Sequence, residues 1–187
     1  TREEAAAALE NLTVPTRKWE DWKYTNLTPL VAREFSLANP ATLSQKELQQ
    51  LLVPGLAADL MVFVNGKFDA SLSQINAESY HIRSLHDLEG MEREMFEAYY
   101  GQIVPFDQYV FTAMNTAFGS EGIFVYVPKG KLIETPLQVV HVTKGDEKNL
   151  GIQHRNLFIV GEGASVKIVE SYHTLGEASS LRNDVTE

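Results

Sequence analysis

Apolar and polar positions follow two different periods along this chain. Up to about Gly119 the spacing is mostly helical, and from Glu121 onward it is that of strands. Glu3 to Leu12 is Ala-rich and predicts a short helix, because Ala loses no side-chain entropy on entering one. Arg17 to Tyr24 is a second helical candidate, with Trp19 and Trp22 three apart on one face and Pro29 setting a boundary near Thr28. Ser44-Gln45-Lys46-Glu47 has the form of a capping box. It opens a helix through Leu48, Leu51 and Leu52 that stops at Pro54-Gly55. Leu60 to Val64 predicts a strand, Asn65-Gly66 a tight turn and Lys67 to Leu72 its return. A helix from Ser84 to Gly101 aligns Leu85, Leu88, Met91, Met95 and Tyr99, and a last one, Phe106 to Phe118, is apolar enough to be largely buried.

Beyond Gly119, Ile123 to Val127 is apolar at every position, as in a strand covered on both faces. Pro128-Lys129-Gly130 fits a turn. Leu137, Val139 and His141 alternate with Gln138, Val140 and Val142; Leu157 to Val160 is another apolar run. Ala164, Val166 and Ile168 then alternate with Ser165, Lys167 and Val169. Short strands broken by Gly and Pro suit a sandwich, a barrel or a parallel β-helix, and period alone does not separate the three. Leu181 to Glu187 reads as the approach to a further strand with no capping helix after it. The natural protein is therefore expected to continue past Glu187 and, since Thr1 is not Met, to have been processed or trimmed.

Charge narrows the partners. With 16 Lys and Arg against 25 Asp and Glu, the net charge of −9 disfavours nucleic acid and anionic membrane. No apolar run nears the roughly 18–20 residues of a membrane span, and no secretory leader pattern opens the chain, so a soluble cytoplasmic protein is expected. The absence of cysteine excludes disulfides, a thiolate nucleophile and cysteinyl zinc or iron–sulfur sites within these residues.

The candidate chemistry is sparse. His81, His86, His141, His154 and His173 show neither H-E-x-x-H nor H-x-H spacing. His141 shares the parity of Leu137 and Val139 and so points inward, where a hydrogen-bonded strand histidine is the simpler reading. The reading from a different class is a cupin-like β-barrel enzyme that binds a metal or sugar through His141, His154 and His173. Gly161-Glu162-Gly163 resembles half of a dinucleotide fingerprint, but the strand-like Ala164 to Val169 follows where a helix is needed, so a bend is expected. Arg17, Lys18 and Lys23 beside Trp19, Trp22 and Tyr24 are either a buried aromatic contact, the simpler reading, or a docking surface for a partner protein. Glu89, Glu92, Glu94 and Glu97 fit a solvated helix face. With no nucleophile elbow, Walker lysine loop or Ser-His-Asp spacing, the chain reads as a scaffold rather than an enzyme, without catalytic, cofactor-binding or metal residues.

Several segments together carry a resemblance. Pro15 to Thr25 (PTRKWEDWKYT), Val62 to Phe68, Asn115 to Phe118, Gly122 to Gly130 and Glu134-Thr135-Pro136-Leu137 occur in this order. Arg155-Asn156, Val160 to Ala164, Val169 to Tyr172 and Asn183 to Glu187 follow. This series resembles the SufB/SufD family of SUF iron–sulfur cluster assembly proteins, and the Arg17 to Thr25 segment favours the SufD branch. The resemblance implies an α+β fold in which a mostly helical N-terminal domain, residues 1–119, leads into the first turns of a right-handed parallel β-helix, residues 120–187. It implies a non-catalytic scaffold subunit that works with a SufB-like paralogue and a SufC-like ABC ATPase. The family's SufC-docking helices and proposed cluster-ligand histidine lie in C-terminal parts not present here, so no cofactor is expected in these residues. A homodimer through exposed β-edges is a further expectation.

Overall fold

The computed structural model describes residues 2–37, 39–76, 78–119, 121–145, 149–177 and 179–187. In chain order the helices and strands of the first half are α1 (Arg2–Leu9), α2 (Thr28–Val31), β1 (Ser36–Leu37), α3 (Gln45–Gln49), β2 (Asp59–Val64), β3 (Lys67–Phe68), β4 (His81–Ser84), α4 (Gly90–Tyr99) and α5 (Val110–Phe118). The second half adds β5 (Ile123–Val127), β6 (Leu137–Gly145), β7 (Leu150–Ile152), β8 (Arg155–Val160), β9 (Ile168–Gly176), β10 (Ser180–Arg182) and β11 (Val185–Thr186). Short 3-10 turns occupy Glu20–Trp22 and Leu85–Asp87.

The strands form three sheets, in the orders β1-β7-β10, β11-β8-β5-β4 and β3-β2-β6-β9. From β5 onward the chain passes from one sheet to the next, setting Leu137 beside Ile168, Leu150 beside Ser180 and Arg155 beside Val185 in parallel register. Each sheet also takes a strand from the first half. β1 runs parallel to β7 and β2 parallel to β6, whereas β4 is antiparallel to β5.

Strand alternation builds two cores from one ladder. Met61 and Phe63 of β2 and Leu137 and Val139 of β6 face Ile123, Val125 and Val127 of β5 in the space between sheets. Val62, Val64, Val140 and Val142 point the other way, onto Leu43 just before α3 and Leu48 within it. β6 is thus covered on both faces, which explains its continuous burial from Leu137 to Thr143. On the far side of β5, Phe124 and Leu157 pack with Leu88 under Met95 and Phe96 of α4, and α1 packs on α5.

Local expectations are met where local chemistry decides. The Ser44–Glu47 capping box is present at the start of α3, and Asn65 and Gly66 take positive φ (48° and 78°) in the turn between β2 and β3. The expected architecture is corrected. The first half is not a mostly helical domain: its longest helix has ten residues, and it supplies four strands. Nor is the second half a separate right-handed parallel β-helix. The sheets are assembled from both halves, and the β2–β3 and β4–β5 pairs are antiparallel. Arg17 to Tyr24 forms no α-helix; its backbone bonds are of the three-residue kind, as in Trp22 N–H to Trp19 O. The Ser84 helix starts only at Gly90, because Ser84 is paired with Ile123 in the sheet. The division between 119 and 120 falls at Ser120, which lies outside the described residues, as does Thr1.

Candidate functional site

A buried polar layer collects where the three sheets meet. β6 contributes His141, the residue before β8 is His154, the end of β10 supplies Arg182, and Asp184 precedes β11. Phe63 of β2 lies against both imidazoles, at ring distances of 5.2 Å to His141 and 4.9 Å to His154, and the two imidazoles are 5.2 Å apart. Each histidine is 1% exposed.

The tautomers follow from the partners. The Gly66 carbonyl, 2.9 Å from His154 Nε2, can only accept, so Nε2 carries the proton and Nδ1 is free to accept from Arg182 Nη2 at 3.5 Å. Arg182 Nη2 also donates to His141 Nδ1 at 3.2 Å, leaving His141 Nε2 to face Glu170 at 3.5 Å. Asp184 holds the guanidinium at 2.7 Å, while the Tyr172 ring lies beneath Arg182 and stacks on His141 at 4.7 Å and 7°. Burial pushes the Tyr172 hydroxyl up to about 12, helped by the nearby Glu170 and Asp184 charges.

This layer holds both histidines neutral. Burial lowers His154 from 6.5 to about 4, reinforced by the Arg182 charge, and burial likewise lowers His141 against the opposing pull of Glu170. Unfolded, His154 takes up its proton near pH 6.5; folded, it refuses that proton until about pH 4, and burial shifts His141 in the same direction. Stability should therefore be level above pH 7 and fall as pH drops from 6.5 to 4. Denaturant midpoints against pH test this. His154→Gln, which can keep both hydrogen bonds without titrating, should flatten the slope, and an unchanged slope would refute the assignment.

Of the three sequence candidates for a ligand set, the fold brings together two. His173 follows Tyr172 in β9, sits beside Val142 in register and so faces the outer core, with its Nε2 buried and unpartnered. The Nδ1 lone pairs of His141 and His154 are occupied by a guanidinium N–H. Among the described residues no group of three or more His, Cys, Asp or Glu converges as a metal site. The three-histidine barrel site is not formed.

A second node starts one residue along the chain from His154, at Arg155, the first residue of β8. Arg155 of β8, 1% exposed, donates to Thr116 Oγ1 (3.0 Å) and the Val104 carbonyl (3.0 Å) and pairs with Glu187 (3.0 Å), while its guanidinium sits over Tyr100. Glu187 also accepts from the backbone N–H groups of Gly101, Ile103 and Val104. Burial alone would raise the Glu187 carboxyl, but these donors and Arg155 outweigh it and hold it below the usual range. Beside this node a cavity of about 590 Å³ is lined by Arg2, His86, Arg93, Phe96, Tyr100 and Glu121. Glu121 receives Lys67 Nζ at 3.3 Å and His86 Nε2 at 3.1 Å through one oxygen, and its other oxygen is buried without a partner.

Sequence reasoning missed Arg182 and Asp184 as half-buried groups and Glu187 as an interior one. One signal was available: Arg182 and Asp184 are two apart in an extended segment, the spacing that puts opposite charges on one face. Other expectations are corrected here. Glu92 is not solvated but 8% exposed, bonded to His81 at 2.7 Å and Arg83 at 3.2 Å. Trp19 is 43% exposed rather than buried, and Trp22 is half-buried against Phe111. The bend expected at Gly161-Glu162-Gly163 is present, by contrast, as a turn closed by the Ala164 N–H on the Gly161 carbonyl.

The comparisons with known proteins agree with one another. The family described as the SufBD protein N-terminal region matches residues 1–139. The chain is similar to an iron-sulfur cluster assembly SufBD family protein of Synechocystis sp., with 30% identity over 173 residues covering 91% of this chain and 38% of the relative. Similar proteins of the same description in Staphylococcus saprophyticus and Staphylococcus aureus are 39% identical over 95 residues, covering 50% of this chain and 20% of each relative. The chain thus spans well under half the length of these relatives. With the family matched over most of its residues, the chain belongs to the SufBD family.

Proposed function

We propose that the protein carrying this chain is a non-catalytic scaffold subunit of a SUF-type iron–sulfur cluster assembly complex, acting in the cytoplasm beside a SufB-like paralogue and a SufC-like ABC ATPase. The observation that carries the reading is family membership over residues 1–139, extended by a relative named for iron–sulfur cluster assembly that is similar along 91% of the chain. Within the family, the Arg17 to Thr25 segment favours the SufD branch.

The chemistry of the described residues is in keeping with such a part. Several of its buried and half-buried charges are committed to one another: Arg182 to Asp184, Arg155 to Glu187, Glu92 to His81 and Arg83. A cluster is cargo for such a complex. With no cysteine in this chain, thiolate ligands to that cargo come from elsewhere in the assembly. The cupin-like reading has no support, because His173 lies on the opposite face of the sheet from His141.

The test is anaerobic purification of the tagged whole protein from cells that contain its natural partners. A paralogue and an ABC ATPase should co-purify, and the isolated protein should not hydrolyse ATP. Recovery of the protein alone under all conditions, or intrinsic hydrolysis of ATP, would overturn the proposal.

A further inference from the structure

The Pro15 to Arg33 segment is used by neither node. It carries Arg17, Lys18, Lys23 and Arg33 against only Glu20 and Asp21, in a chain whose net charge is −9. Two grooves run beside it and share Pro15 as a wall. The first, about 430 Å³, is aromatic: Trp19, Trp22, Tyr109 and Phe111 line it with Asp21 as its one charged lining residue, and Trp22 packs on Phe111 at 5.6 Å. The second, about 410 Å³, has Arg17 and Lys18 as its only charged lining residues, with Val31 at its edge.

These side chains are displayed to solvent. Trp19 is 43% exposed, Tyr109 57% and Val31 51%, and here they adjoin one another across the two grooves rather than standing singly. Half-exposed Trp and Tyr next to Arg are the residue types that dominate protein interfaces. The local charge is opposite to that of the chain as a whole and complements an acidic partner. Two adjoining grooves with one common wall also suit an extended segment better than a small molecule, since alternate side chains of an extended chain can enter neighbouring sites.

We infer that the paired grooves around Pro15 are a docking surface for an acidic linear segment of a partner protein. An apolar side chain of that segment enters between Trp19 and Tyr109, and its carboxylates lie against Arg17 and Lys18. The inference is independent of the assembly role proposed above, and either can fail without the other.

Calorimetric titration of the whole protein with a capped 12-residue peptide of Glu-Asp-Phe repeats tests it. Saturable binding is expected, weakening at least about threefold between 50 and 300 mM salt, because the contacts are solvent-exposed charges. Lys18→Glu should weaken binding about fivefold or more by reversing a rim charge. Tyr109→Ala should also weaken it, and near-ultraviolet circular dichroism would confirm that each variant is folded. Equal binding of a peptide with lysine at every acidic position, or no binding of the acidic one, would overturn the inference. Retained binding by both folded variants would do the same. Binding of oligothymidylate or phosphatidylserine vesicles in place of the acidic peptide would assign the surface to another class of partner and sink the proposal.

Discussion

Arg155→Met is expected to cost about 3–5 kcal/mol of folding stability, the loss associated with removing one partner of a buried ion pair. The magnitude follows from what would be left behind. The Glu187 side chain has no solvent exposure, and without the guanidinium its charge keeps only the backbone donors of Gly101, Ile103 and Val104. The Val104 carbonyl and Thr116 hydroxyl lose their donor as well. Because Arg155 belongs to β8 and Val104 to the connection between α4 and α5, the substitution unties the helices from the sheet as well as weakening the strand. Adding Glu187→Gln should recover part of the loss, since an unpaired amide is cheaper to bury than an unpaired carboxylate. Arg155→Lys should remain destabilising, because an ammonium cannot reproduce the planar fork. Denaturant unfolding of these three variants and of Glu187→Gln alone measures the cycle. A cost for Arg155→Met below about 1 kcal/mol, the value of a surface pair, would show that the node is solvated.

Gly122→Ala is expected to lose roughly 3 kcal/mol or to prevent accumulation of folded protein. A Cβ at this position would stand 1.8 Å from the Arg155 carbonyl oxygen and 2.6 Å from its carbon, both backbone atoms that no rotamer can move. Relief requires β5 and β8 to separate where the Arg155 N–H bonds the Glu121 carbonyl and the Ile123 N–H bonds Asn156 Oδ1 at 3.1 Å. Gly151→Ala is the matched control. Its Cβ would meet Phe35 at 3.5 Å, an ordinary contact, and the change should stay within about 0.5 kcal/mol. Thermal unfolding of both variants decides the matter, and equal midpoints would mean that the close approach at Gly122 is absent in solution.

What could be read from the chain was set by contacts between near neighbours. The Ser44–Glu47 box and the Asn65-Gly66 turn depend on groups three residues apart or fewer, so their chemistry is visible in the sequence itself. The inward direction of His141 follows equally from the period of two that it shares with Leu137 and Val139. Propensity failed at Arg17 to Tyr24 and at Ser84 to Glu89 because long-range partners overruled it: Phe111 holds Trp22, and Ile123 pairs with Ser84.

Amino-acid order alone determined the family, the alternating strands of the second half, the lack of thiolate chemistry and the individual turns and caps. Only the tertiary structure decided that first-half strands join all three sheets, that His173 faces away from His141, that Arg155 is an interior charge with partners and that Arg182 is a half-buried one. The physical reason is that covalent sequence specifies which side of a strand a residue occupies, whereas strand pairing across more than a hundred residues, as between Ser36 and Leu150, specifies what that side meets.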